Sequence, residues 1–268
     1  MYALSNTIMH AEKKITPYME ELCELCNSIV TGQIKVPTTV KGQALMCAGR
    51  LAAACGKEKF PGKAIDAFTL FGLQCLSTEG ANKYELRETA ITYFADLSIF
   101  LKDDIAPVFD QIITEIIKTC VASDEYKGNE EKEGAGAGKS TSASGAGFSL
   151  DSDSDGEEME LEIDVNHLDE KSAAVNALGV IGQHCPKLCQ GRAKEILTTL
   201  SDLHFYFHPN IRLGVVYSYL QLTYGLMQLA GVLDEDENFE WTKGAPQGSP
   251  LPPQVADFVT QTVLPYYI

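Results

Sequence analysis

The chain has 268 residues, 45% of them hydrophobic, which is enough to bury a substantial core in one large domain or two ordinary ones. It carries 21 Lys and Arg against 37 Asp and Glu, for a formal net charge of −16. This charge argues against direct binding to nucleic acid or insertion into a membrane, and it favours basic proteins or peptides as partners.

Apolar residues recur at helical spacing along most of the chain, and alternation typical of strands is scarce. The pattern predicts an all-α protein built from pairs of helices joined by short turns. Proline in a first turn and glycine after a last turn mark several of the boundaries, as at Pro17, Gly32 and Pro61. The predicted helices cover residues 2–13, 17–31, 38–55, 61–76, 83–101, 105–121, 168–184, 191–204, 210–230 and 253–268.

A short motif recurs in the first helix of four of these pairs. A basic residue stands three positions before a small one, and the basic residues are Lys41, Arg87, Lys171 and Arg212. They are 46, 84 and 41 positions apart, and the long interval becomes 42 without the dissimilar tract 125–166. A period of about 40 to 47 residues is that of HEAT hairpins. We therefore expect an α-solenoid of five to six HEAT hairpins with a long disordered acidic insertion, and basic side chains that bond the adjacent repeat.

This interpretation divides the chain into three parts. HEAT repeats are expected over residues 1–124 and again over 167–268. A flexible Gly/Ser-rich and acidic insertion separates them at 125–166, and a second acidic, proline-containing loop interrupts the later repeats at 231–252.

The insertion contains Gly138-Lys139-Ser140, the end of a phosphate-binding loop motif. Glu133 stands where the first glycine of that motif belongs, and no strand is predicted before it and no helix after it. We interpret the run as a flexible linker.

The acidic arm (residues 151–164) follows this linker and carries eight acids and no base. Two interpretations remain open: a solubilising loop kept extended by self-repulsion, or a mobile anionic arm that binds basic cargo. Ser152 and Ser154 each precede an acid by three positions and are expected substrates of an acidophilic kinase. The eight acids are Asp151, Asp153, Asp155, Glu157, Glu158, Glu160, Glu162 and Asp164.

A second acidic patch lies in the loop after helix 210–230, beside Trp241, the one tryptophan of the chain. An aromatic ring flanked by carboxylates contacts lysine through cation–π and charge interactions together. The alternative is that the Trp241 ring covers the end of the hydrophobic core. The sequence leaves both interpretations open. The acids of this patch are Asp234, Glu235, Asp236 and Glu237.

The eight cysteines stand mostly among aliphatic residues, so we interpret them as core thiols. Cys23 and Cys26 have zinc-type spacing but lack a second pair, and the cluster of His184, Cys185 and Cys189 is interrupted by a proline.

His204 and His208 are spaced as in a zincin helix, yet the glutamate of that motif is missing. We expect HFYFH to be a packed aromatic helix end. No catalytic motif is recognised, so the sequence predicts no enzyme, no cofactor and no metal site.

The stretch at residues 168–212, LDEKSAAVNALGVIGQHCPKLCQGRAKEILTTLSDLHFYFHPNIR, resembles the middle of importin-β (karyopherin-β) family nuclear transport receptors. It is most similar to the branch that imports ribosomal proteins and histones, the importin-four and importin-five type. Residues 41–60, KGQALMCAGRLAAACGKEKF, are similar to the same branch about three hairpins earlier. The resemblance covers residues 38–230 in register.

The resemblance implies a solenoid whose second helices line a concave surface that faces cargo, with the acidic loop coupling cargo to Ran-GTP. It implies basic cargo, Ran and nucleoporins as partners, and shuttling between cytoplasm and nucleus. The amino-terminal repeats that grip Ran most strongly are expected to lie outside this chain. On the concave surface we expect acidic and amide side chains to meet lysines of the cargo, namely Glu20, Glu21, Glu24, Asn27, Asp110, Gln111 and Glu115. The alternative is a HEAT scaffold of another complex with no transport role.

Overall fold

The computed structural model describes residues 1–56, 60–80, 82–123, 126–127, 162–163, 165–231 and 252–266. In these ranges the chain is helical apart from turns and one pair of two-residue strands, β1 (Tyr126–Lys127) and β2 (Glu162–Ile163), which confirms the prediction of an all-α protein. The α-helices in chain order are α1 (Tyr2–Ala11), α2 (Met19–Val30), α3 (Thr38–Cys55), α4 (Gly62–Leu76), α5 (Lys83–Leu101), α6 (Ala106–Val121), α7 (Val165–His184), α8 (Pro186–Cys189), α9 (Ala193–Leu203), α10 (Pro209–Leu229) and α11 (Pro253–Phe258).

Several boundaries differ from the predicted ones. Glu12–Tyr18 forms a 3-10 helix that contains Pro17, so α2 begins at Met19. Helix α7 begins at Val165, three residues before the predicted start, so the insertion ends earlier than expected.

The last predicted helix, residues 253–268, is not continuous. Helix α11 ends at Phe258, and a π-helical turn (Val259–Val263) and a 3-10 turn (Leu264–Tyr266) follow it. Pro265 lacks the N–H group that an uninterrupted helix would use at that position.

The helices form two layers. Helices α3, α5, α7 and α10 stack in sequence, and these three consecutive contacts are the most extensive in the described chain; α1 also packs on α3. The second helices α2, α4, α6 and α9 each pack on the stacked helix that follows them in sequence, and α2 touches α4 while α6 touches α9. Because α5 packs directly on α7, the stack continues across the insertion without a break.

The recurring motif marks equivalent places in the four stacked helices. The small residue three positions after the basic one is 0% exposed in every helix, as is the residue seven positions after it. A separation of four residues puts both on one helix face, which is the face turned to the core. The two sets are Ala44, Ala90, Ala174 and Val215, and Ala48, Phe94, Leu178 and Tyr219.

Glycines let α7 and α10 cross closely. A Cβ on Gly225 would collide with the carbonyl oxygen of Gly182, and a Cβ on Gly179 would overlap Ser218. Close backbone approach of this kind excludes any larger side chain unless a helix moves.

Gly225→Ala should therefore destabilise the chain by about 1–3 kcal/mol, because the added methyl group meets backbone that cannot yield locally. Gly62→Ala is the control, since Gly62 begins α4 and nothing lies within 4 Å of the added Cβ. Its free energy of unfolding should stay within about 0.5 kcal/mol of the parent. Urea unfolding followed by circular dichroism measures both, and equal midpoints for the two variants would contradict the close crossing.

Asp96 of α5 is a titratable group in the seam between α3 and α5. Its Cβ lies 3.2 Å from the place that a Cβ on Gly49 would take, and its Oδ2 atom is buried without a hydrogen-bond partner in the described structure. Burial raises the pKa of Asp96 to about 7, while the charge of Arg50 acts in the opposite direction. Below that pH the folded chain holds Asp96 in its neutral form.

The contribution of Asp96 to stability should fall as the pH rises from about 4 to 7. In this window the folded state retains a proton that the unfolded state has lost, so each added pH unit costs at most about 1.4 kcal/mol. Asp96→Asn cannot ionise and should gain stability relative to the parent across the window, with a constant difference above it. Urea unfolding at a series of pH values measures this difference, and a difference that does not change with pH would contradict it.

Candidate functional site

Helix α2 presents an acidic outer face. Its apolar side chains, including Met19, Cys23 and Cys26, are buried against the neighbouring helices. The helical period therefore turns Glu20, Glu21 and Glu24 outward, where all three are exposed, and Asn27 is half-buried beside them. Helix α2 contains no Lys or Arg, and none of the three glutamates forms an ion pair with a described residue.

The acids of α6 are already paired. Asp110 Oδ1 lies 3.4 Å from Arg192 Nη1, and Glu115 Oε1 lies 2.7 Å from Lys118 Nζ. Arg192 also bonds Glu195 at 2.7 Å, and this hydrogen bond raises the pKa of the guanidinium. The third predicted residue of α6 is Gln111, which is exposed. It is a neutral amide and needs no counterion.

The two groups of predicted cargo-binding residues do not form one cluster. Helix α2 belongs to the first hairpin and α6 to the third, and the two helices share no extensive contact. Helix α4 follows α2 in the layer and exposes Asp66, Leu70 and Gln74. The structure thus favours the α2 face over the α6 face as a place for a cation.

The two ends of the insertion are paired with each other. Tyr126 pairs with Ile163 and Lys127 with Glu162 in an antiparallel ladder just outside α6 and α7. Of the predicted arm, the structure describes Glu162, in its backbone alone; the other seven acids, with Ser152 and Ser154, lie outside the described residues. The second acidic patch, residues 234–237 with Trp241, also lies outside them.

Two neighbouring charged residues are buried at the base of the insertion. Glu170 and Lys171 are each 2% exposed. Thr119 donates to Glu170 Oε1 at 3.2 Å, and Lys171 Nζ donates to the carbonyl oxygen of Ala122 at 2.7 Å while lying 4.7 Å from the ring centre of Tyr206. These contacts join the end of α6, the start of α7 and the turn after α9.

A cavity of about 370 Å³ lies beside this pair. Arg87 reaches across it, with Nη2 2.6 Å from Glu79 and Nη1 4.0 Å from Glu170. Lys118 and Glu115 close the cavity on the side of α6. Acids and bases alternate around the cavity, so it carries no excess of either charge.

The four basic residues of the motif occupy corresponding positions. Each lies at the carboxyl end of the preceding second helix, where a positive charge is favoured by the helix dipole. Lys41 Nζ is 3.4 Å from the place of a Cβ on Gly32 after α2, and Arg212 Nη1 donates to the carbonyl oxygens of Tyr206 and Phe207 at 2.8 Å each. Arg87, Lys171 and Arg212 each bond the end of the preceding hairpin. The expected bond to the adjacent hairpin is therefore confirmed for three of the four basic residues.

Lys171→Met should destabilise the chain by about 2 kcal/mol, because it removes the charged donor of the Ala122 carbonyl and the cation–π contact with Tyr206. Lys118→Met is the matched control, since it removes an exposed pair worth at most about 1 kcal/mol. Urea unfolding measures both variants. Equal losses would show that the contacts of the buried lysine contribute no more than a surface pair.

The expected packed aromatic helix end at residues 204–208 is wrong for two of its rings. Phe205 is 84% exposed and Phe207 is 51% exposed. Helix α9 ends at Leu203, before the aromatic run, so helical spacing no longer turns these rings to the core. Tyr206 packs inward, against Lys171, and His204 and His208 are half-buried.

All eight cysteines are free thiols, and seven are buried, which confirms that these are core residues. Burial raises the pKa of Cys75 and Cys120 to about 12, so they are not nucleophilic thiolates at neutral pH. Within the described ranges no three His, Cys, Asp or Glu side chains are grouped to hold a metal ion.

In the described part of the chain, no helix combines the length and the apolarity needed to cross a membrane. The sequence matches no protein-family model, and no curated protein is similar enough to count as a match.

Proposed function

We propose that the chain is the cargo-binding central segment of a nuclear import receptor: a HEAT solenoid that binds basic segments of proteins for Ran-dependent import. The observation that carries this proposal is the position of the insertion. Its ends are paired at Tyr126 and Ile163, between hairpins whose first helices pack directly on each other. The acidic arm lies between two hairpins and interrupts neither of them, so its charge can serve in binding without disturbing their packing.

The all-helical two-layer stack supports the solenoid part of the proposal. Four stacked helices with equivalent buried positions, and basic residues at equivalent helix ends, are what a repeat of one unit produces. Such stacks offer one long surface made of second helices, on which an extended peptide can lie.

The charge of the α2 face supports basic segments as ligands. Glu20 and Glu24 are one turn apart, so their side chains stand about 6 Å from each other. An extended peptide places alternate side chains about 7 Å apart on one side, so two alternate lysines can reach both glutamates. Each exposed pair is worth at most about 1 kcal/mol, so affinity depends on several pairs acting together.

The acidic arm adds charge to this interaction. Its eight acids belong to the same chain as the α2 face, so they raise the effective concentration of negative charge that a basic segment meets. Phosphorylation of Ser152 and Ser154 would strengthen this effect by adding negative charge. The same proposal includes Ran and nucleoporins as partners and shuttling between cytoplasm and nucleus. It also assigns the chain a binding role without catalysis. These parts of the proposal rest on the family resemblance.

Fluorescence anisotropy with a labelled lysine-rich localisation peptide tests the proposal on the full chain. We expect binding that weakens steeply between 50 and 200 mM salt, as for any interaction between exposed charges. Glu20→Gln/Glu24→Gln should weaken binding roughly three- to tenfold, and removal of residues 151–164 should weaken it further.

The matched control is Asp169→Asn/Asp257→Asn, which removes two exposed acids from α7 and α11 and should leave affinity unchanged. No salt-sensitive binding, or equal losses in the two double variants, would contradict a cargo site on α2. Binding that ignores salt would favour the alternative of a HEAT scaffold in another complex, for which exposed Leu70 and Phe205 offer apolar contacts.

A further inference from the structure

A cavity of about 350 Å³ lies where three of the stacked helices meet near their carboxyl ends. It is bordered by α5, α7 and α10, by the 3-10 turn Lys102–Ile105 and by the short helix α8. None of its described lining residues belongs to α2, α4, α6 or α9. The cavity is therefore separate from the proposed cargo surface.

Bases outnumber acids in the described lining of this cavity. Lys102, His184 and Lys187 line it, and Asp103 is the one acid among the lining residues. Asp103 Oδ2 lies 3.4 Å from Lys187 Nζ, so it compensates the charge of a single lysine. The lining keeps a positive excess although the chain has a formal net charge of −16, and this excess favours an anion as ligand.

Uncharged donors complete the polar part of the lining. Burial and the positive charge of Lys102 lower the pKa of His184, so its imidazole is neutral at pH 7 and offers one N–H group. Gln183, Gln228 and Tyr224 add amide and hydroxyl donors. Donors from several elements of the fold can thus converge on the oxygens of one anion.

The backbone at Lys102 is held in a conformation that lysine rarely adopts. Its φ is +51° and its ψ is −130°, a region that glycine occupies without strain. The thiol of Cys185 donates to the carbonyl oxygen of Lys102 at 3.3 Å, and the N–H of Lys102 donates to the carbonyl oxygen of Ser98. Enforced strain of this kind is typical of residues whose side chains have a function.

The same contacts bear on the alternative that Lys102 is only a helix cap. They satisfy the carbonyl groups of Ser98 and Lys102 at the end of α5, so neither carbonyl requires a lysine amine. A glycine would serve the backbone at this position better. The lysine side chain therefore needs a reason of its own, and the cavity that it lines supplies one.

The cavity also offers apolar contacts. Ile99, Pro186 and Leu229 line it beside the bases. Pockets for small organic ligands begin at about 300 Å³, so a volume of about 350 Å³ has room for an anionic group together with a small organic group.

We propose that this cavity binds a small phosphate monoester. The phosphate dianion lies between the amines of Lys102 and Lys187, and the organic group contacts Ile99 and Leu229. Lysine binds phosphate as a compact positive charge, and two lysines with several neutral donors suit a dianion better than the single charge of a carboxylate.

A ³¹P NMR titration of the full chain at low salt and pH 7.5, where the phosphate group is a dianion, tests the proposal. Phenyl phosphate and inorganic phosphate are the probes. We expect both to bind, and phenyl phosphate to bind more tightly because its ring reaches the apolar side of the cavity. Benzoate, which carries the same ring and one charge, should bind about tenfold more weakly than phenyl phosphate in a ¹H NMR titration.

Lys102→Gln/Lys187→Gln should weaken the binding of phenyl phosphate about tenfold or more. Lys13→Gln/Lys14→Gln is the matched control, because it removes two exposed lysines from the 3-10 helix Glu12–Tyr18 and changes the net charge equally. Asp103→Asn should tighten binding about threefold, since it removes the carboxylate that competes for Lys187.

Lys102→Gly separates the amine from its backbone. It should weaken the binding of phenyl phosphate without lowering the midpoint of urea unfolding, because glycine adopts a φ of +51° without strain. Absence of saturable binding, equal affinities for phenyl phosphate and benzoate, or equal losses in the two lysine double variants would overturn the proposal. Inorganic phosphate that binds as tightly as phenyl phosphate would overturn the assignment to a monoester.

Discussion

The contact between the buried side chain of Lys171 and the carbonyl of Ala122 ties the start of α7 to the end of α6. The chain leaves α6, makes an excursion of about forty residues and returns as α7, yet the two helices must meet again in register. A charged amine that is 2% exposed must find an acceptor, and the carbonyl of Ala122 at the end of α6 supplies it. A shift of α7 by one residue would bury this charge without its partners.

This constraint explains how a long acidic segment can be carried without weakening the core. The hydrophobic contacts of α5 with α7 are complete without the insertion, and the paired strands keep its two ends adjacent. The entropy cost of closing a loop grows slowly with its length, so the length and charge of the arm can vary with little effect on the stack. The contacts that stabilise the stack and the acids of the arm therefore lie in different parts of the chain.

The repeat pattern predicted a large part of the fold because it reports local geometry. Ala44, Ala90 and Ala174 could be placed on a buried face from spacing alone, and their burial follows. Pairings between distant residues could not be predicted in this way. Asp110 was a candidate for cargo, but it meets Arg192, which is 82 residues away in sequence and reaches it through the packing of α6 on α9.

The aromatic run at residues 205–207 shows a second limit. Composition favours burial of Phe205 and Phe207, but the helix ends before them. Arg212 holds this turn through the carbonyl oxygens of Tyr206 and Phe207, which leaves the phenylalanine rings exposed. The size of the side chain at one position of the motif can likewise differ between helices while the rest of the motif is retained. The eighth position after the basic residue is Gly49 in α3 and Gly179 in α7, which permits close helix packing, whereas Leu220 in α10 requires a wider spacing of about 10 Å.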